Sequence, residues 1–305
     1  MALIIPTLNG AATLPQLFQS LETQTLQPQY RIIVDSQSTD QTGILAARHL
    51  FEVIPIKQCE FNHGGTRQMV IERICQAYKE IDSVVFMTQD ACFADDYSLA
   101  RLMDCLNDEQ VGAAYGRQLP RQNSGKLGSH ARLFNYPEVS SRKTLQDASR
   151  WGIKTAFISN SFAVYRVSAL HGVGGFPDNT ILSEDMCLAG KMLLQGWSVY
   201  YCADSRVYHS HDYSCSEEFR RYFDIGVFQS REDWLRQTFG PAEGEGLRFV
   251  FSEMRYLWQQ QGKHLIPAAL MRTGLKLLAF RLGKMESWLP VRWKRWLSMN
   301  KNYWH

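Results

Sequence analysis

Nowhere in this chain do about 18 apolar residues follow one another, the minimum for crossing a bilayer, so no spanning helix is expected. The first ten residues, MALIIPTLNG, carry no basic stretch and no long apolar core. They enter a strand at once, which reads as a cytoplasmic chain and not as a signal peptide. No CxxC pair occurs either. The cysteines (Cys59, Cys75, Cys92, Cys105, Cys187, Cys202 and Cys215) form an odd set, which suits reduced thiols and argues against a disulfide framework or a zinc site. The Gly-x4-Gly-Lys-Ser/Thr spacing of a Walker A loop is missing. So are internal repeats and low-complexity tracts.

What remains is a chain of 305 residues, 45% hydrophobic, able to bury one large core or two modest ones. Its net charge of +3 is unevenly spread. From Lys263 onward nine Lys/Arg face one acid, Glu286, which puts about +8 in the tail and about −5 in the remainder. The two regions should meet different partners.

Over the first 117 residues short apolar runs alternate with helical patterns. Strands are expected at Leu3–Pro6, Arg31–Val34, near Val53–Ile56, at Val84–Thr88 and at Gly112–Gly116. Helices are expected at about Thr13–Thr25, after Asp40, at about residues 65–80 and from about Asp95. This alternation predicts an α/β protein with a mainly parallel, doubly wound sheet flanked by helices. Residues 118–156 have little periodicity and read as a long excursion over the site. NSFAVYRVSAL then predicts a strand and a short helix, and SEDMCLAGKMLLQG a helix with Ser183 as N-cap and Gly196 at its end. WSVYYCADSRVYHSH returns as extended chain.

Parallel sheets bind ligands beyond the carboxyl ends of their strands. Three polar clusters fall there: PTLNG, DSQSTD and TQDA. In the last, Asp90 is a lone acid at the end of a greasy strand, either capping the next loop or holding a divalent cation. Mg²⁺ is commonly held by one or two carboxylates together with substrate phosphates, so one acid suffices if a diphosphate arrives with the metal. FNHGGTRQ offers a cradle for that diphosphate, with Gly64 and Gly65 at a helix start and Arg67 as a fork, although a plain turn would use the same glycines. Asp35 could accept from the imide of uracil or thymine, or serve as a turn acid. Glu184 and Asp185 open a helix, where the dipole favours acids; Asp185 is the candidate general base. His209 and His211, two apart on extended chain, should face the same side.

Together these motifs resemble family 2 of the inverting GT-A glycosyltransferases. IIPTLNG, VDSQSTDQT, TQDA, GGF…SEDMCLAGKMLLQGW and VYHSHDYS stand in that family's order over about residues 2–215. FNHGGTRQ, TQDA, YGRQLP and FNYP are similar to the bacterial rhamnosyltransferase subgroup that builds O-antigen and related polysaccharides. The resemblance implies a GT-A catalytic domain over residues 1–240, with a nucleotide-sugar half to about 117 and an acceptor half over about 118–240. It implies Mg²⁺ or Mn²⁺ and a nucleotide-sugar donor, dTDP-L-rhamnose, with a UDP-hexose or UDP-HexNAc as the alternative. Pro6, Thr7, Asn9, Asp35, Gly65, Arg67 and Gln89 match donor-nucleotide positions, Asp90 and His209 the metal ligands, and Asp185 the catalytic base. His63, Glu184, His211 and Arg117 are further candidates. Thr88 stands where the family's DXD motif has its first acid, so metal and nucleotide are expected to bind together.

Beyond about residue 245 the resemblance lapses. Met271, Leu275, Leu278, Leu282 and Met285 form a helical apolar stripe among Arg272, Lys276, Arg281 and Lys284. WLPVRWKRWLSMNKNYWH then interleaves Trp with cations. Residues 245–305 therefore read as a basic amphipathic helical extension lying on an anionic membrane surface, or else as a cap on the catalytic domain or on a second subunit. A peripheral place on the inner face of the cytoplasmic membrane would suit a polyprenyl-diphosphate-linked saccharide acceptor. Nucleic acid is not expected as a partner; a homo-oligomer is possible. A non-catalytic sugar- or nucleotide-binding scaffold is the rival class, against which Asp90, Arg67 and Asp185 stand together.

Overall fold

The computed structural model describes residues 1–242 and 244–304. Its strands are β1 (Ala2–Thr7), β2 (Tyr30–Asp35), β3 (Glu52–Pro55), β4 (Ser83–Met87), β5 (Cys92–Phe93), β6 (Val111–Leu119), β7 (Ser141–Lys143), β8 (Phe162–Arg166) and β9 (Ser198–Tyr208). The first helices are α1 (Leu14–Glu22), α2 (Thr42–Arg48), α3 (His63–Ala77), α4 (Ser98–Asp104), α5 (Lys126–Asn135), α6 (Ala148–Trp151) and α7 (Val167–Gly172). They are followed by α8 (Glu184–Leu194), α9 (Cys215–Arg231), α10 (Asp233–Phe239), α11 (Glu245–Gln259), α12 (Ile266–Lys284) and α13 (Val291–Leu297).

One sheet runs β3-β2-β1-β4-β8-β6-β9-β5, with β7 paired to β9. β1 is parallel to β2 and β4, β2 to β3, and β6 to β9. β8 enters between β4 and β6, antiparallel to both. The sheet is thus mainly parallel by strand direction, but its middle is mixed. Successive β1 residues bury on opposite faces: Ala2 and Ile4 join the core beneath α3 and α8, while Leu3 and Ile5 join the core beneath α1. A strand covered on both faces has no polar alternation, which is why it reads as a continuous apolar run.

Three expectations change. Residues 118–156 are not a structureless excursion, since they hold α5, β7 and α6. The helix expected from Asp95 begins at Ser98, and β5 precedes it. Asp95 is a clasp instead, accepting from Arg101 at 2.9 Å and from Arg206 at 2.9 Å. Ser183 sits at the N-cap position of α8 with φ 58°, and its side chain makes no capping bond.

The C-terminal helices pack on α9. Gly226 of α9 and Gly283 of α12 touch the opposing backbones: a Cβ at Gly283 would stand 2.1 Å from the Phe223 carbonyl oxygen, and one at Gly226 2.2 Å from that of Phe280. Only glycine permits so close a crossing. The buried side of α12 is therefore lined by small residues, Ala269, Ala279 and Gly283. Its cations Arg272 and Lys276 turn inward to Glu218, at 3.1 and 2.9 Å. Of the expected apolar stripe, Met271, Leu278 and Met285 face outward.

Candidate active site

The loops after β1, β2 and β4 knit together at one edge of the sheet. The Leu8 N–H donates to Gln89 Oε1 at 2.9 Å, and Gln89 Nε2 donates back to the Leu8 carbonyl at 3.1 Å. Asn9, with φ 49°, accepts from the Thr39 N–H at 2.9 Å, while its own N–H donates to Ser38 Oγ at 2.8 Å. Asp35 accepts from the Ser38 N–H at 3.3 Å. Thr7 is buried, with its hydroxyl on the Val34 carbonyl at 3.3 Å. Asn9 and Asp35 thus brace the loops against each other. Beside them opens a cavity of about 1390 Å³.

Pro6, His63, Arg67, Gln89, Asp90, Glu184, Asp185, His209 and His211 all line that cavity. Thr7, Asn9, Asp35, Gly65 and Arg117 lie outside its lining. Two of these need correction. The N–H groups of Gly64 and Gly65 both donate to Asn62 Oδ1, at 3.0 and 2.9 Å, so the start of α3 is capped by the chain itself and is no open phosphate cradle. Gly64 is glycine for packing: a Cβ there would stand 1.7 Å from the Pro177 carbonyl oxygen. Arg117 turns away to the Tyr136 carbonyl at 3.2 Å and to Glu138 at 3.0 Å.

Arg67 reaches the cavity wall but is already engaged. Its guanidinium pairs with Glu184 at 3.0 Å, donates to the His63 carbonyl at 2.7 Å and lies over the Phe86 ring. Glu184 also accepts from Asn160 Nδ2 at 2.9 Å. Burial pushes the Glu184 carboxyl up, but Arg67, His63 and the Asn160 bond outweigh it and hold the group ionised. Arg67 is thus the counter-ion of Glu184 rather than a free phosphate fork.

Asp185 is the consequence. It is half-buried at the cavity wall, so desolvation raises its carboxyl, and the neighbouring Glu184 charge raises it further, to about 7. The Asn160 N–H at 3.1 Å and the Met186 N–H at 2.8 Å fix its two oxygens. A carboxylate tuned near neutrality in a substrate-sized cavity can accept a proton and give it up again. The left-handed Ser183 delivers both acids at the helix start, backbone strain of the kind that gathers at functional sites.

Across the cavity, Asp90 Oδ2 lies 3.4 Å from His209 Nε2 and 3.6 Å from His211 Nε2. β9 ends at Tyr208, so both histidines come from the irregular segment beyond it, yet they meet at the same acid. One oxygen and two imidazole nitrogens within 4.8 Å of one another could hold a metal ion. His209 Nδ1 lies 2.8 Å from Gln118 Oε1, which also accepts from Arg132 at 2.7 Å. That oxygen can only accept, so Nδ1 carries the proton and Nε2 keeps its lone pair for a metal. Burial holds His209 below its ordinary value and pushes His211 to about 4, so both rings are neutral near pH 7. Burial opposes ionisation of Asp90, but pairing with either ring, whenever one takes up a proton, holds its carboxyl well below the usual range. Two neutral imidazoles and an ionised carboxylate make a chemically sound ligand set for a divalent transition metal.

Several contributors escaped the sequence reading. Gln118, which orients His209, lies within YGRQLP, a stretch singled out for its likeness alone. Asn160 holds both acids of α8, and nothing local marks it. Asp224, buried on α9, accepts from the Met299 and Asn300 N–H groups, both at 3.0 Å, and so brings Asn300 to within 3.4 Å of His63 Nε2. Arg221 lines the cavity from α9, over the ring of Tyr213, which stacks on His211. Among the described residues Arg221 has no ion-pair partner.

Comparison with known proteins agrees with this geometry. The model of Glycosyl transferase family 2 matches residues 2–174. The chain is 44% identical to an O-antigen chain rhamnosyltransferase, WbaN, of Salmonella anatum, over 99% of this chain and 95% of that protein. It is 42% identical to the O-antigen chain rhamnosyltransferase RfbN of Salmonella typhimurium, over 100% and 96%. Among solved structures, the mannosyltransferase PcManGT of Pyrobaculum calidifontis, in complex with GDP-Man and Mn²⁺, superposes with a TM-score of 0.56 at 17% identity, over 99% of this chain and 84% of that one. TarS 1–349 of S. aureus with UDP-GlcNAc gives 0.54 at 14% identity, over 94% and 90%.

Proposed function

The chain belongs to glycosyl transferase family 2, and on that premise we propose that it transfers L-rhamnose, with inversion, from dTDP-L-rhamnose to a hydroxyl of a lipid-linked saccharide in O-antigen synthesis. The carrying observation is that one cavity holds both a carboxylate tuned near neutrality, Asp185, and the Asp90–His209–His211 cluster. Asp185 takes the proton of the acceptor hydroxyl. The freed oxygen attacks the anomeric carbon from the face opposite the nucleotide. The carbon–phosphate oxygen bond breaks, and its electron pair leaves with the dTDP. Asp90, His209 and His211 would hold the divalent cation, which when bound neutralises charge on the departing diphosphate. Two imidazoles favour Mn²⁺ over Mg²⁺, which prefers oxygen ligands. The unpaired Arg221 faces the same space and takes the part expected of Arg67, a cation directed at the diphosphate.

A thermal-shift panel tests the donor. dTDP-L-rhamnose with Mn²⁺ should raise Tm by several degrees, because a ligand at about 100 times its Kd adds about 2.7 kcal/mol to apparent stability. A larger shift with UDP-glucose or UDP-GlcNAc would replace the donor. No shift with any nucleotide sugar would remove the catalytic reading in favour of a scaffold.

The same reading places the protein on an anionic membrane through its C-terminal helices. No helix among the described residues is long and apolar enough to cross a bilayer. Yet Leu277, Trp288, Trp293 and Trp296 are exposed, Trp288 at 83%. Arg281, Arg292 and Arg295 are exposed beside them and without ion-pair partners among the described residues. Exposed indoles interleaved with unpaired cations fit a headgroup layer, with the aromatics at the interface and the charges on anionic lipid. Wild type should float with phosphatidylglycerol vesicles and not with phosphatidylcholine ones. W288S/W293S/W296S should stay behind. Equal flotation of the two proteins, or burial of these indoles in a dimer in solution, would reject the membrane assignment.

A further inference from the structure

The cavity is larger than one small ligand needs. At about 1390 Å³ it exceeds the roughly 300–1,000 Å³ of an ordinary small-molecule pocket, and beyond the groups described above its wall is built by α5, residues 157–161 and one side made of α9, α11 and α12. Glu218, Tyr222, Phe249, Glu253 and Lys276 line that side. Glu253 is the unusual member. It is 3% exposed, yet among the described residues its carboxylate accepts no hydrogen bond, and its nearest ion-pair candidate is His130 Nδ1 at 3.9 Å. That His130 nitrogen is itself buried without a partner, while Nε2 is 2.9 Å from Ser252 Oγ. The Glu253 oxygens are not among the buried atoms without a partner, so the carboxylate opens on the cavity, and its donors come from whatever fills that space.

We propose that this arm of the cavity is the subsite for the acceptor saccharide, with Glu253 accepting hydrogen bonds from its hydroxyls and thereby setting which sugar is glycosylated. The chemistry of the wall selects the ligand class. Glu218 and Glu253 together balance Arg272 and Lys276, so the wall has no net charge with which to draw in either an anion or a cation. A neutral polyol supplies O–H donors without adding charge. Phe249 and Tyr222 offer flat apolar faces beside the acid, with Lys276 Nζ 5.6 and 5.5 Å from their ring centres. Burial raises the Glu253 carboxyl, as expected of an acid awaiting donors. The subsite also gives the C-terminal helices a place in the reaction. They wall the cavity that contains Asp185.

This inference rests on the rhamnosyl-transfer reading, and its test separates the two. The full-length wild type, E253A and E253Q are assayed with saturating dTDP-L-rhamnose and Mn²⁺ against octyl glycosides of the common hexoses. Binding of dTDP is titrated in parallel. A lost hydrogen bond to a charged group amounts to roughly tenfold or more. E253A should therefore raise the acceptor KM at least about tenfold, E253Q should recover part of that, and dTDP affinity should stay within about twofold for both. An unchanged acceptor KM in E253A overturns the subsite. Loss of dTDP affinity in both variants also overturns it, by making Glu253 a structural residue. A wild type that binds dTDP but glycosylates none of the sugars overturns the saccharide class. A wild type that binds no dTDP overturns the rhamnosyl-transfer reading instead.

Discussion

Asp185→Asn should leave a folded protein that still binds dTDP and Mn²⁺ but transfers sugar about 10²–10⁴-fold more slowly, the usual worth of a general base. Substantial turnover would unseat Asp185. The pH profile adds an independent check. The base works ionised, and its carboxyl is raised to about 7 by burial and by Glu184. The rate in wild type should therefore fall about tenfold per unit as pH drops below about 7. Stability runs the other way. Because the folded-state value is raised, the contribution of Asp185 to stability is fully present below its unfolded value and is lost as pH rises through about 7. At pH 8 the wild type carries a like-charged neighbour for Glu184, which the amide relieves, although the amide can accept only one of the two N–H bonds that the carboxylate accepts. The Tm of D185N relative to wild type should thus be more favourable at pH 8 than at about pH 4. A variant that is inactive and shows no such pH dependence of its relative Tm would mark Asp185 as structural.

Asp90→Ala should abolish metal-dependent donor binding and reduce transfer by about 10³-fold or more, since neutralising a leaving diphosphate is worth several kcal/mol. Wild type treated with a chelator should behave the same way and recover with Mn²⁺ at lower concentration than with Mg²⁺. His211→Ala should keep residual activity but need more Mn²⁺. Read from sequence, Asp90 was the one strong ligand of its motif, the resemblance added His209, and metal and nucleotide were expected to bind together. Three ligand atoms within 4.8 Å change that expectation: Mn²⁺ should bind measurably without nucleotide, and calorimetry on the nucleotide-free protein checks it. Mg²⁺ supporting activity at lower concentration than Mn²⁺, or wild-type metal affinity in Asp90→Ala, would reject the cluster as the metal centre.

What was legible in the sequence follows from where its signals come from. A strand buried on both faces shows as an apolar run, so β1, β2 and β4 could be placed within a residue or two. A parallel strand presents its ligands at its carboxyl end, so Asp90 could be singled out from position alone. Asp185 stood out by its motif and its likeness to a known family. The insertion of antiparallel β8 had no local signature, because β8 is as apolar as its neighbours and only pairing sets its direction.

The changed expectations have one origin. Arg67 and Gly65 were read as open to a phosphate, but the fold already engages them with Glu184 and Asn62. The same process leaves Arg221 and Glu253 unpaired. A cation or an acid is available to a ligand only if no other part of the chain reaches it first. The tail repeats the point. Its composition signalled an amphipathic helix with an apolar stripe, and Met271, Leu278 and Met285 of that stripe do face outward, but spacing alone did not say what the other face meets. Gly226 and Gly283 allow α9 and α12 to approach closely, so small residues turn inward, Arg272 and Lys276 follow them to Glu218, and the larger apolar residues remain outside. The sequence by itself determined the fold class, the placing of acids at the end of β4 and the start of α8 and the basic, aromatic character of the tail, because these depend on residue type and local order. Only the tertiary structure decided which charges are free, that both histidines reach Asp90 and which helices wall the cavity, because each depends on contacts between residues far apart in the chain.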